Sequence, residues 1–122
     1  MIAAGQRVKV LDFGLAIIGS RDRDIEQTMA PLTREGPGKK LENGLLVLQR
    51  GEVLMRYAKQ LLPTCNIFDE RRHFEPGPDV ARVLRIGSAQ VGLMICEDGW
   101  NDHGADYATN PFERLRDAAP DL

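Results

Sequence analysis

A cysteine and a lysine are the residues of this 122-residue chain whose positions best suit chemistry. Cys96 ends the apolar run VGLMI and is followed at once by Glu97 and Asp98. A cysteine at the end of a strand is most often a small buried hydrophobe. A thiol in this position can also serve as a nucleophile, a metal ligand or a redox group. The run itself leaves these four interpretations open.

The charges around Cys96 decide whether it can act as a nucleophile. Glu97 and Asp98 disfavour a thiolate beside them, because like charges repel. A nucleophilic Cys96 therefore requires that both carboxylates be engaged elsewhere, or that a cation lie close. Lys59 follows the apolar run VLMRYA and is the candidate cation. Its ammonium could favour the thiolate and stabilise an oxyanion, although most lysines at strand ends are simply solvated.

Composition argues against several classes of function. The net charge is −2, and basic residues form no cluster larger than a pair, so we do not expect nucleic-acid binding. The sequence contains no apolar run long enough to cross a membrane and no secretory signal, so we expect no membrane association. A cytoplasmic protein with reduced thiols is the natural interpretation.

Metal and phosphate sites are also not expected. The residues that could bind zinc are scattered along the chain as Cys65, His73, Cys96 and His103, whereas structural zinc sites use closely spaced pairs. The glycine-containing stretch GPGKK lacks the pattern of a phosphate-binding loop, and the sequence contains no G-x-S-x-G nucleophile motif.

Several strands and one helix should position these residues. Leu15 to Ile18 reads as a buried strand. Residues 21–44 read as a long exposed connection, with a helical turn near Asp24 to Met29. Asn110 before Pro111 predicts the start of a helix. Such alternation of strands and helices is typical of a layered α/β fold.

Two hairpins are predicted on either side of a loop rich in proline. The first joins Leu45–Leu48 to Glu52–Tyr57 through a turn that contains Gly51. The second joins Ala81–Ile86 to Gln90–Ile95 through Gly87 and Ser88. Lys59 would then leave the first hairpin, and Cys96 would end the second.

Two segments together resemble the nitrilase, or carbon–nitrogen hydrolase, superfamily. They are KQLLPTCNIFDERRHFEPG, from Lys59 to Gly77, and GLMICEDGWND, from Gly92 to Asp102. The tail FDERRHFEPG and the run ICEDGW narrow the resemblance to the glutaminase domain of the glutamine-dependent NAD synthetase family. The stretch KLENGLLVLQRGEVL is similar to the strand pair that precedes the lysine in that family. The resemblance extends from about Ile17 to Leu122.

This resemblance implies a fold, a reaction and roles for individual residues. The fold is an αββα sandwich, present here as a partial α/β structure that is incomplete at both ends. The reaction is hydrolysis of the glutamine amide through a cysteine thioester, by a Glu-Lys-Cys triad. By match, Cys96 is the nucleophile and Lys59 the triad lysine. Glu70 takes a supporting role, and Glu97 and Trp100 line the substrate pocket.

The sequence departs from the family pattern in two places. The triad glutamate of the family lies in a segment of the type F-P-E-L, to which nothing in this sequence corresponds. Cys65 stands where the family commonly has a tyrosine that helps to hold glutamine. Because this cysteine is smaller and has no phenol, we expect glutamine recognition at that position to lose the contact that the tyrosine makes.

The resemblance also predicts that the chain is part of a longer enzyme. Residues 1–122 are expected to be an internal fragment of a glutaminase domain, inactive alone, with the synthetase domain absent. The glutaminase reaction needs no cofactor. In the full enzyme, ATP and Mg²⁺ act in the synthetase domain, where ammonia converts deamido-NAD to NAD, and the enzyme assembles into homo-oligomers. The alternatives are another amidase of the superfamily and a non-catalytic binding or assembly module that has lost the triad.

Overall fold

A computed structural model describes the backbone of residues 7–11 and 15–19, and residues 25–64, 67–101, 103–104 and 106–121 in full. Within these described residues, seven strands and two short helices follow one another. They are β1 (Arg7–Leu11), β2 (Leu15–Gly19), β3 (Ile25–Thr33), β4 (Leu41–Gln49), β5 (Glu52–Ala58), α1 (Glu70–His73), β6 (Val83–Ile86), β7 (Ala89–Gly92) and α2 (Pro111–Asp117). The strands form sheets in the order β1-β2, β3-β4-β5 and β6-β7, and every pair is antiparallel.

Both predicted hairpins are present. In the first, Arg50 and Gly51 have φ angles of 52° and 81°, and this left-handed pair of residues is the turn that fits the twist of a hairpin. In the second, Gly87 has a φ of 60°. The second hairpin is shorter than predicted, because β7 ends at Gly92 rather than at Ile95.

The prediction for residues 21–44 is wrong over much of its length. Residues 25–33 form the nine-residue strand β3 instead of an exposed connection with a helical turn. This strand pairs with β4 from Ile25 opposite Gln49 to Thr33 opposite Leu41. Its side chains alternate between half-buried and exposed from Ile25 to Met29, the period of a strand with one covered face. Charged neighbours and Pro31, which an edge strand tolerates, obscured that alternation.

The hydrophobic core joins the three-stranded sheet β3-β4-β5 to the chain segment that precedes Cys96. Leu45, Val47 and Tyr57 from β4 and β5 pack with Leu93 and Ile95, all five being buried. The run before Cys96 is therefore apolar because alternate side chains enter this core, although the regular strand has already ended. Burial of Leu93 and Ile95 fixes the chain immediately before the cysteine.

The remaining elements agree with the α/β class in its coarse form. The predicted strand at Leu15 to Ile18 is confirmed as β2. The predicted helix start is confirmed at α2, where the side chain of Asn110 accepts a hydrogen bond from the backbone N–H of Glu113 at 3.0 Å. In the described part of the chain, no helix is long and apolar enough to cross a membrane.

Candidate functional site

Lys59 lies directly after β5 and is almost completely buried, with 2% of its surface exposed. Its backbone is held on both sides. Its N–H donates to the carbonyl of Asn43 at 2.8 Å, and its carbonyl accepts from the N–H of Gly77 at 2.8 Å. A β-carbon on Gly77 would lie 2.3 Å from the carbonyl oxygen of Ala58. The close approach of this segment to Lys59 therefore requires glycine.

The buried ammonium of Lys59 is paired with Glu70. Lys59 Nζ lies 2.7 Å from Glu70 Oε1, and Asn43 Nδ2 donates to Glu70 Oε2 at 3.2 Å. Glu70 is the first residue of α1, and its own N–H donates to the carbonyl of Pro63 at 3.1 Å. A charge removed from water in this way is retained only where it is paired, because desolvation is costly. The Lys59 ammonium is thus a buried cation that Glu70 holds in one position.

Cys96 begins a single 3₁₀ turn that spans Cys96–Gly99. Its side chain is a free thiol and is exposed. Its φ angle is +46°, in the left-handed region that residues with a β-carbon avoid. Strained backbone of this kind persists only where its surroundings hold it, and it is found most often at functional positions. The thiol therefore stands on a sharp turn, accessible to a small molecule.

Glu97 is contacted by a residue that the sequence interpretation did not identify. Tyr107 Oη donates to Glu97 Oε1 at 2.8 Å. Asn101 is 1% exposed and holds the loop that carries this tyrosine. Its Nδ2 donates to the carbonyls of Tyr107 and Thr109 at 3.1 and 2.7 Å. Trp100 follows the turn and is 67% exposed.

Asp98 is the central buried polar group of the site, with 0% of its surface exposed. Its Oδ1 accepts from the backbone N–H groups of Gln60 and Leu61 at 3.0 and 2.7 Å. Its Oδ2 accepts from Tyr57 Oη at 2.6 Å and from the N–H of Ile95 at 3.2 Å. These four donors match the acceptor capacity of an ionised carboxyl group. The carboxyl thus joins the residues around Lys59 to the residue before Cys96.

Burial perturbs both members of the Tyr57–Asp98 pair. Burial raises the pKa of the Asp98 carboxyl, while the hydrogen bonds from Tyr57, Leu61, Ile95 and Gln60 oppose that rise. Burial also raises the pKa of the Tyr57 phenol, and the neighbouring Asp98 raises it further. The tyrosine therefore remains protonated and serves as a donor to Asp98 over the whole physiological pH range.

The described residues bring four of the six predicted site residues into defined environments. Lys59 and Glu70 are in direct contact, Cys96 lies on the turn that Asp98 links to the residues after Lys59, and Glu97 lies on the same turn. Trp100 is at the surface beyond it, and Cys65 lies outside the described residues. The contributions of Asn43, Asp98 and Tyr107 were missed, because their partners are distant in sequence or lie in an irregular loop.

The electrostatic objection to a nucleophilic Cys96 is reduced by these contacts. Both neighbouring carboxyl groups accept hydrogen bonds from other residues, Asp98 from four donors and Glu97 from Tyr107. The site therefore offers an exposed thiol whose two neighbouring carboxyl groups are already engaged by other residues. Among the residues described in full, no three His, Cys, Asp or Glu side chains are grouped so as to hold a metal ion.

Comparison with known proteins finds relatives among the glutamine-dependent NAD(+) synthetases. No family model matches the chain. Glutamine-dependent NAD(+) synthetase of Thermotoga maritima is 48% identical over 59 residues, which is 48% of this chain and 10% of that protein. The enzyme of the same name from Synechocystis is 33% identical over 88 residues, which is 69% of this chain and 16% of that protein.

A solved structure agrees with the sequence relatives. Glutamine-dependent NAD+ synthetase from Acinetobacter baumannii, in complex with ADP, superposes with a TM-score of 0.58 at 29% identity, over 65% of this chain and 14% of that one. The chain thus spans between 10% and 16% of the length of the relatives it matches. The resemblance expected from the motifs is therefore confirmed in sequence and in structure: this chain is similar to part of the glutamine-dependent NAD(+) synthetases, which are enzymes.

Proposed function

We propose that Cys96 and Lys59 are the nucleophile and the cation of a glutaminase site, within an αββα domain of the nitrilase type. The observation that carries this proposal is the buried carboxyl of Asp98. It connects the chain beside the Lys59–Glu70 ion pair to the strained turn that exposes the Cys96 thiol. A purely structural cysteine needs neither an exposed position nor a left-handed backbone.

The proposed reaction has two stages. Cys96 Sγ attacks the side-chain amide carbon of glutamine, and the carbonyl oxygen takes up the negative charge. The backbone N–H of Glu97 and the ammonium of Lys59 are the proposed stabilisers of that oxyanion. The C–N bond then breaks as the nitrogen takes up a proton and leaves as ammonia. Water attacks the resulting thioester, which releases glutamate and restores the thiol.

The other predicted residues have supporting roles in this proposal. Glu70 holds the Lys59 ammonium in place through the 2.7 Å contact. Glu97 and Trp100 form part of the wall of the glutamine pocket, with the Glu97 carboxylate oriented by Tyr107. In the sequence, Cys65 stands where the family commonly has a tyrosine, and a thiol offers glutamine no phenol.

The fate of the ammonia is proposed from the relatives alone. In the whole protein, ammonia would serve the ATP-dependent conversion of deamido-NAD to NAD in a cytoplasmic homo-oligomer. ATP and Mg²⁺ would act in a synthetase domain, and we assign no residue described here to either of them. Residues 1–122 would contribute only to the glutaminase part.

The proposal does not assign a general base. No residue of the sequence matches the triad glutamate of the family. General acid–base catalysis contributes about 10²–10⁴-fold to such reactions. We therefore expect the purified chain to release ammonia from glutamine at a negligible rate. Sustained turnover that disappears in Cys96→Ala would contradict this expectation, although it would support the assignment of the nucleophile.

Trapping of the acyl intermediate tests the proposal directly. The purified chain is incubated with glutamine, quenched in acid and digested, and the peptides are mapped by mass spectrometry. Because acylation and hydrolysis of the thioester both lack the general base, a glutamyl adduct on Cys96 is expected to accumulate slowly over a long incubation, with none when asparagine replaces glutamine and none in Cys96→Ala. Acylation by simple aliphatic amides but not by glutamine would favour another amidase of the superfamily. Acylation by no amide would favour the non-catalytic module.

A further inference from the structure

Asp98 contributes to the site in a way that neither sequence motif nor catalytic chemistry suggests. A fully buried carboxyl is costly unless its oxygens receive hydrogen bonds. Here every donor comes from a position that flanks a proposed catalytic residue. Tyr57, Gln60 and Leu61 lie on either side of Lys59, and Ile95 directly precedes Cys96.

The two oxygens of this carboxyl accept hydrogen bonds from different parts of the chain. Oδ1 accepts two consecutive backbone N–H groups, those of Gln60 and Leu61, and so fixes the direction in which the chain leaves Lys59. The side chain of Gln60 is held separately, since its Nε2 donates to the carbonyl of Val80 at 2.9 Å. The orientation of the lysine segment therefore depends on Asp98 through the main chain.

On the other side, Asp98 closes a ring around the cysteine. Its N–H donates to the carbonyl of Ile95 at 3.1 Å, while its Oδ2 accepts from the N–H of Ile95 at 3.2 Å. Cys96 and Glu97 lie inside this reciprocal pair. The ring is the feature that can hold Cys96 at a φ of +46°, which the residue would otherwise leave.

We propose that Asp98 is a positioning residue whose one carboxyl group sets the Cys96 thiol relative to the Lys59 ammonium. This inference rests on the proposed function for the roles of those two residues. Asp98 itself touches no substrate in this account, because it has no exposed surface. Its effect on the reaction is exerted through the main chain on both sides.

The test is a double-mutant cycle between Asp98 and Lys59, read by the reactivity of Cys96 toward iodoacetamide. Wild type, Lys59→Met, Asp98→Asn and the double variant are alkylated at neutral pH, and modified Cys96 is quantified by peptide mapping, separately from Cys65. Iodoacetamide needs a thiolate but no glutamine pocket. We expect Lys59→Met to be alkylated about tenfold more slowly than the wild type. The double variant should be alkylated at nearly the same rate as Asp98→Asn.

Gln60→Met is the matched control. This side chain is buried beside Lys59 and also accepts from Arg114 Nη1 at 3.0 Å, so its loss should destabilise the fold. It leaves the backbone N–H of residue 60 in place for Asp98. We expect Gln60→Met to change the alkylation rate by less than about twofold, the range of sites without energetic coupling. All rates are compared at a temperature where circular dichroism shows each variant to be folded.

The possible outcomes separate the inference from the proposed function. One outcome is that Lys59→Met slows alkylation by the same factor in the wild type and in Asp98→Asn. In that case the carboxyl is merely structural and the inference is overturned, while the glutaminase proposal stands. If Lys59→Met has no effect in the wild type, both fail. Should Asp98→Asn not fold, Asp98→Glu carries the same comparison, since it keeps the charge but displaces the carboxyl. Full coupling without a glutamyl adduct would retain the inference and reject the glutaminase.

Discussion

Replacement of Cys96 by glycine is expected to give a more stable protein than its replacement by alanine. Both variants lose the thiol, which is exposed and contributes little burial, so they differ only in the β-carbon. At a φ of +46° that β-carbon is strained. The left-handed conformation costs about 1–2 kcal/mol for a residue with a β-carbon. The greater freedom of glycine in the unfolded chain opposes this effect and destabilises the glycine variant by about 0.5–1 kcal/mol.

The difference of these two effects is about 1 kcal/mol in favour of glycine. Urea unfolding followed by circular dichroism measures it. With a slope of about 1.5 kcal/mol per molar urea, the midpoint of Cys96→Gly should lie about 0.7 M above that of Cys96→Ala.

Gly87→Ala calibrates the cost of a β-carbon at positive φ elsewhere in the same chain. Gly87 has a φ of 60°, and a β-carbon there would meet nothing within 4 Å. Alanine should therefore cost a similar amount at this turn, through strain alone. If Gly87→Ala is destabilising while Cys96→Ala is as stable as Cys96→Gly, residue 96 is not strained in solution. The backbone of residue 96 would then offer no support for a functional role of its turn.

Three further predictions follow from contacts of the site and its surroundings. Glu70→Gln leaves the buried Lys59 ammonium without its carboxylate, so urea unfolding should show a loss of about 2 kcal/mol, the scale of a hydrogen bond to a charged group; an unchanged midpoint would mean that the ion pair does not form. Because burial raises the pKa of Asp98, its contribution to stability is fully present below the unfolded value of 3.8 and is lost as pH rises through the higher native value. The free energy of unfolding of the wild type should therefore include a decrease with rising pH that is absent from Asp98→Asn. An identical pH dependence of the two proteins would contradict this prediction. Asn110→Ala removes the cap of α2 and should cost about 1 kcal/mol in thermal unfolding, whereas Asn110→Asp, which keeps an acceptor, should cost little.

Local signals predicted the hairpins and the helix start well. The turn at Arg50–Gly51 and the Asn110–Pro111 pair owe their conformations to residues within a few positions, so the sequence reveals them. Strand β3 was missed because pairing with β4 decides its conformation, and its own alternation is interrupted at Ala30 and Pro31. Long-range pairing of this kind leaves little trace in the strand itself.

The predicted site was incomplete for a similar reason. Asp98 next to Gly99 looks like an ordinary turn residue, and short acidic side chains are common in turns. Its four donors come from Tyr57, Gln60, Leu61 and Ile95, and three of these lie far away in sequence. The lysine and the cysteine could be recognised by motif, whereas the carboxyl that joins their segments became visible only in three dimensions.

Covalent labelling by a glutamine-analogue electrophile would show whether Cys96 is the nucleophile of a glutamine site. The purified chain is treated with 6-diazo-5-oxo-norleucine, with and without excess glutamine, and the modified peptide is identified by mass spectrometry. We expect an adduct on Cys96 that glutamine suppresses and that Lys59→Met reduces. Equal reaction of Cys65 and Cys96 with a generic thiol reagent, together with no reaction of either with the analogue, would contradict it.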